Sequence, residues 1–85
     1  MKIFDVMLEG KEDDETGYFV TLEVSASSKS KAGELAIAEA VKQQLKNLKI
    51  EDIELKYRDA SVNEAAVLKT YGKSYFPLKG TGSRA

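Results

Sequence analysis

Apolar and polar residues alternate from Lys2 to Glu9. Phe4, Val6 and Leu8 share one face, while Ile3, Asp5, Met7 and Glu9 share the other. Successive strand residues point to opposite sides, so this pattern predicts a half-buried strand. Tyr18 to Ala26 alternates again: Tyr18, Val20, Leu22, Val24 and Ala26 oppose Phe19, Thr21, Glu23 and Ser25. A charged turn bracketed by Gly10 and Gly17 separates the two runs, so an antiparallel hairpin is expected. Directly opposed residues share a face, which puts even numbers opposite even numbers. Leu8 opposite Tyr18 is one such register, and it sets Met7 opposite Phe19 on the back.

A serine-rich junction then offers an N-cap, with Ser28 preferred. From there to about Asn47 the period becomes helical. Ile37, Val41, Leu45 and Leu48 form one stripe, with Ala36, Glu39, Gln43 and Asn47 opposite. Glu51 to Asp59 returns to period two, with Ile53, Leu55 and Tyr57 facing in. The expected fold is a single α+β domain over residues 1–77. It has a ββαβ core, a three-stranded antiparallel sheet in the order 2-1-3, and one amphipathic helix packed on one face. A short C-terminal helix or strand follows: Ser61-Val62-Asn63-Glu64 matches a capping box, whereas Val67 to Tyr71 suits a strand. Residues 78–85 read as a flexible tail.

Composition narrows the chemistry. With no Cys and no His among 85 residues, thiolate sites and the commonest general base are absent. No spacing gathers Tyr, Lys, Asp and Glu into a catalytic constellation, no phosphate loop is present, and neither a metal nor a cofactor is implied. The expectation is a protein that is not an enzyme. No apolar run reaches the length of a membrane span, and no signal-peptide pattern precedes the first strand, which suggests a cytoplasmic location. Net charge is −1 overall, but residues 1–59 carry net −4 and residues 60–85 net +3.

Three sets of residues are candidates for binding. Ile3, Met7 and Phe19 would make an apolar patch on the side the helix leaves open, which serves either a partner or the chain's own Tyr71, Tyr75 and Phe76. Glu12, Asp13, Asp14 and Glu15 form an acidic turn without calcium-loop spacing. It reads as a solvated hairpin tip, or as a strip that imitates phosphates toward a basic partner. Lys69, Tyr71, Lys73 and Tyr75 interleave rings with cations, as a small nucleic-acid-binding segment would. Exposed sheet edges also permit a homodimer.

The run Val20-Thr21-Leu22-Glu23-Val24-Ser25-Ala26-Ser27 before an Ala-rich helix, and the ending Tyr71-Gly72-Lys73-Ser74-Tyr75-Phe76-Pro77, resemble very short proteins encoded by bacteriophages and mobile elements. That resemblance implies a class of work. Such accessory proteins, anti-CRISPR inhibitors among them, bind a host protein or complex and rarely catalyse. Their acidic patches often occupy nucleic-acid sites on the target. It implies no residue-level role, and it would put the protein in the cytoplasm of a bacterial host.

Overall fold

The computed structural model describes residues 1–58, 61 and 63–78. The hairpin is longer than its alternation suggested. Strand β1 spans Lys2–Asp13 and β2 spans Thr16–Ala26, so Glu12 and Asp13 of the acidic stretch belong to β1 and only Asp14 and Glu15 turn the chain. The Asp13 carboxylate accepts from the Glu15 N–H at 2.8 Å, a side-chain-closed turn that suits an aspartate at its start.

Even numbers do oppose even numbers, but the register differs from Leu8–Tyr18 by one pair of residues. Leu8 faces Val20, Gly10 faces Tyr18, and Glu9 faces Phe19. A two-residue slip keeps every side chain on its face, so alternation alone cannot detect it. Gly10 explains the choice: a Cβ there would lie 2.5 Å from the Tyr18 ring, so the buried tyrosine lies across the space that the missing side chain leaves.

Helix α1 spans Lys29–Lys42, and Ser28 caps it by accepting from the Lys31 N–H at 3.2 Å. The helix ends at Gln43, short of Asn47, because Gln44 and Asn47 adopt positive φ (66° and 56°). Its orientation bears out the expected stripe only in part: Ile37 packs at the edge of the core, but the centre of the contact lies elsewhere. The face against the sheet is Ala32, Gly33, Ala36 and Ala40, while Val41 is 60% exposed. Small residues allow a close approach, and the sheet supplies the bulk through Phe4, Val6, Leu8, Tyr18, Leu22 and Val24. Ala36, expected on the solvent side, is fully buried. Leu45 and Leu48 still pack on the core, but from the loop after the helix.

Strand β3 spans Lys49–Tyr57 and pairs antiparallel with β1. Two register shifts interrupt that ladder, and the second sets Tyr57 opposite Ile3. Tyr57 therefore belongs to the back face and is 57% exposed, a correction to its expected inward position. Leu55 stays on the helix side but is also exposed, at 37%.

The capping-box helix does not form. Strand β4 (Ala66–Thr70) and strand β5 (Ser74–Pro77) both run antiparallel to β2, along its free edge. The Tyr71 N–H donates to the Thr21 carbonyl between them, so the two act as one interrupted edge strand. The result is a five-stranded sheet in the order β3-β1-β2-β4, with β5 also on β2. The expected 2-1-3 core is contained in it, extended by a fourth column. Leu78 belongs to this edge, since its N–H donates to the Glu15 carbonyl at 2.8 Å. The rest of the expected tail lies outside the described residues. No helix among the described residues is long and apolar enough to cross a membrane.

Candidate protein-binding face

Strand registers fix which side chains meet on the back of the sheet. One row runs Tyr57, Ile3, Ser25, Ala66 across β3, β1, β2 and β4. The next runs Glu54, Asp5, Glu23, Lys69. The third begins Asp52, Met7, Thr21, and the fourth Lys49, Glu9, Phe19, Ser74. The anticipated apolar patch is therefore not continuous. Asp5 separates Ile3 from Met7 along β1, and the true register puts Glu9 rather than Met7 beside Phe19.

Its members also have local partners. Ile3 is only 4% exposed. Beside it the Ser25 hydroxyl donates to the Glu64 carbonyl and accepts from the Ala66 N–H, drawing the return connection against that end of the sheet. Phe19 stacks on Phe76 with ring centroids 4.8 Å apart. A Cβ at Gly17 would lie 2.5 Å from the Phe76 ring, so this glycine gives the ring its seat. Met7 is half-buried. The competing use of the aromatics, holding the C-terminal segment, accounts for Phe76 on Phe19 and for Tyr75 edge-on to Tyr18 at 6.3 Å.

The cations of that segment are engaged within the chain. Lys69 Nζ stands 4.7 Å from the Tyr71 ring centroid. Lys73 Nζ stands 4.7 Å from the Tyr18 ring and 3.6 Å from a Glu12 carboxylate oxygen. Lys69, Tyr71, Lys73 and Tyr75 thus divide between two faces rather than forming one stacking platform. Glu12, Asp13, Asp14 and Glu15 remain exposed at the hairpin tip.

What sequence reasoning missed is the row of carboxylates. Asp5 lies directly between Glu23 and Glu54, with Asp52 one row away, opposite Met7. Like charges directly opposed across strands are unfavourable. Lys56 relieves part of this: it donates to a Glu23 carboxylate oxygen at 2.8 Å. That hydrogen bond outweighs the desolvation that works against it and, with the nearby charges of Asp5 and Glu23, holds the ammonium above the usual lysine range. Asp5 Oδ1 is shut off from solvent and has no hydrogen-bond partner among the described residues. Asp5, Met7, Thr21, Asp52 and Glu54 line a shallow cleft of about 250 Å³ there. The signal was present in the alternation as Asp5, Glu23, Asp52 and Glu54. It became a site only through the pairing of three strands.

The arrangement suits an extended cationic surface. Carboxylates on neighbouring strands are spread at the strand spacing, about 4.8 Å, rather than converging on one point. Among the described residues no group of acidic side chains is placed to hold a metal ion. Comparison with known proteins returns no matching family model, no matching curated protein and no matching solved structure.

Proposed function

We propose that the chain is a small, non-catalytic binding module whose acidic sheet face takes a basic surface of a protein partner. One observation carries this reading: the cross-strand row Glu54–Asp5–Glu23, supplemented by Asp52, keeps like charges opposed on the sheet face without the helix. Such opposition works against the fold, and Lys56 and Lys69 offset it only at Glu23, so the remaining imbalance at Asp5, Asp52 and Glu54 points to a use outside the fold. A partner's Lys and Arg side chains would supply the missing counter-charge. The resemblance to short phage proteins supports the same class of work, in which an acidic surface occupies a site that a host protein or complex uses for nucleic acid. Inhibition of the anti-CRISPR kind is the corresponding biological reading.

The test is affinity capture from a bacterial host lysate with nuclease present. It compares the wild-type chain with an Asp5→Asn, Glu54→Lys variant. A stoichiometric protein partner recovered by the wild type and lost by the variant is the expected result. Equal recovery by both would remove the acidic row from the interface. Recovery of nucleic acid alone, with every protein lost on nuclease treatment, would overturn the reading in favour of the Lys69–Tyr75 segment.

A further inference from the structure

A polar pocket of about 350 Å³ lies on the other side of the sheet from the acidic row, beyond the C-terminal end of α1. Four stretches of chain converge on it. Lys11 and Glu12 come from β1, Tyr18 from β2, Gln44 and Lys46 from the loop after α1, and Lys73 from the link between β4 and β5. The loop is held in place: the Gln44 N–H donates to the Val41 carbonyl at 2.9 Å and the Leu45 N–H to the Ala40 carbonyl at 3.0 Å. The positive φ of Gln44 turns the chain so that Leu45 packs on the core while Lys46 stays at the pocket wall.

The charge of the lining is one-sided. Lys11, Lys46 and Lys73 stand against Glu12 alone, an excess of two positive charges. Glu12 pairs with Lys73 at 3.6 Å, and among the described residues no ion pair joins Lys11 or Lys46 to a carboxylate. A buried donor adds to this. Tyr18 is 1% exposed, and its hydroxyl has no hydrogen-bond partner among the described residues. The ring crosses Gly10, where a Cβ would lie 2.5 Å from the hydroxyl oxygen, so the hydroxyl ends beside the chain that carries Lys11. The Lys46 N–H approaches that oxygen, which leaves the phenol proton as the group to be paired. Burial pushes the Tyr18 pKa up, with Glu12 adding to the rise and Lys73 and the Lys46 N–H working against it, so the proton stays on at neutral pH. The partner that completes this site is an acceptor carrying negative charge.

We infer that the pocket binds a phosphate dianion, free or as the monoester of a small molecule. A monoester carries about 1.5 to 2 negative charges near pH 7, which matches the excess of the lining. Its oxygens accept from Lys11, Lys46 and the Tyr18 hydroxyl in charge-assisted hydrogen bonds. Lys73 keeps Glu12 with one of its three donors and turns another to the ligand. Its chain lies over the Tyr18 ring and moves aside as it does so. The volume falls within the range of small-ligand pockets, about 300–1,000 Å³. A nucleic-acid backbone fits less well, because it calls for cations along a track, whereas these surround a single cavity. This inference stands on the pocket and Tyr18, and does not rest on the acidic row having a partner.

The experiment is a nuclear magnetic resonance titration of the isotope-labelled full chain at neutral pH and fixed ionic strength. The probes are inorganic phosphate, glucose 6-phosphate, glucose and an oligothymidylate. Saturable amide shifts centred on Gly10, Lys11, Tyr18, Lys46 and Lys73, with a Kd of about 1 mM or tighter for at least one phosphate, are the expected result. The tighter of the two phosphates distinguishes free phosphate from a phosphorylated small molecule, and glucose should leave the spectrum unchanged. Tyr18→Phe and Lys46→Gln, each checked for folding by circular dichroism, should each weaken binding by about tenfold. Absence of saturation by either phosphate up to about 10 mM would overturn the inference. So would equal affinity in the wild type and both folded variants. Saturation by the oligothymidylate at lower concentration than either phosphate would overturn it as well, and would assign these cations to nucleic acid.

Discussion

The two faces of the sheet are made by the same strands and are treated in opposite ways. On the helix side, alternate residues of β1 and β2 are apolar and nearly inaccessible, and small helix residues bring α1 down onto them. On the other side, the intervening residues of the same strands include Asp5, Glu9 and Glu23, joined by Asp52 and Glu54 of β3. Period two imposes this division, since neighbouring residues cannot share a face. The helix side answers to the chain's own packing. The back is shaped by charges that the fold leaves only partly balanced, which is the reason to look for its complement elsewhere.

The sharpest way to break the comparison is to truncate neighbouring residues of β2. Leu22, 1% exposed, belongs to the core, so Leu22→Ala should lower unfolding free energy by about 2–5 kcal/mol. Thr21→Ala, on the back, should stay within about 0.5 kcal/mol in the same urea titration. Comparable losses at both positions would mean that the back is packed as tightly as the front.

Overfilling tests the helix seat. Ala36 is fully buried, so Ala36→Leu should destabilise by about 1–3 kcal/mol through overpacking. Had the Ile37–Val41 stripe been the seat, position 36 would accept leucine at little cost.

Tyr18 sharpens the account of the core. Its hydroxyl is buried with no closed hydrogen bond among the described residues, and burial raises its pKa above 10.0 although the Lys73 charge works against that. A raised folded-state pKa means that the unfolded chain loses its proton first. Stability is then full below about pH 10 and falls as pH rises through the folded value. Tyr18→Phe should leave stability at pH 7 unchanged or raise it by about 1 kcal/mol, since it removes an unpaired polar group. It should also remove this part of the alkaline loss, read by thermal melts between pH 8 and 11. An unchanged alkaline profile would show that another group governs it.

The smallest effect is the most telling about the back. Asp5→Asn relieves opposed charges and should stabilise the fold by about 0.2–1 kcal/mol, with the gain shrinking as salt is added. A clear destabilisation would mean that Lys56 already balances the row.

Much of this fold is readable from pattern alone. The hairpin, the Ser28 cap and β3 follow from changes of period, and parity puts the even residues of the hairpin under the helix. Three features are not readable this way, for separate reasons. The stripe Ile37–Val41 outweighs Ala32, Ala36 and Ala40 in hydrophobicity, yet helix seating depends on how closely backbones can approach, and alanine wins where the sheet supplies the volume. The hairpin register hinges on Gly10 admitting the Tyr18 ring, a contact between residues eight apart with no trace in the alternation. The ending from Ala66 to Pro77 carries mixed signals because it is an edge strand with one interruption, about two-thirds of it exposed. The candidate site was hidden for a related reason. Carboxylates scattered over three strands read as ordinary solvent-facing charges until pairing lines them up.

The central claim is that the acidic sheet face, rather than the acidic hairpin tip, is where a basic partner docks. The most direct test is a nuclear magnetic resonance titration of the isotope-labelled chain with a short lysine- and arginine-rich peptide. Amide shifts centred on Asp5, Met7, Thr21, Glu23, Asp52 and Glu54, which fade as salt is raised, are the expected result. Shifts confined to Glu12, Asp13, Asp14 and Glu15, or spread evenly over every acidic residue, would contradict it.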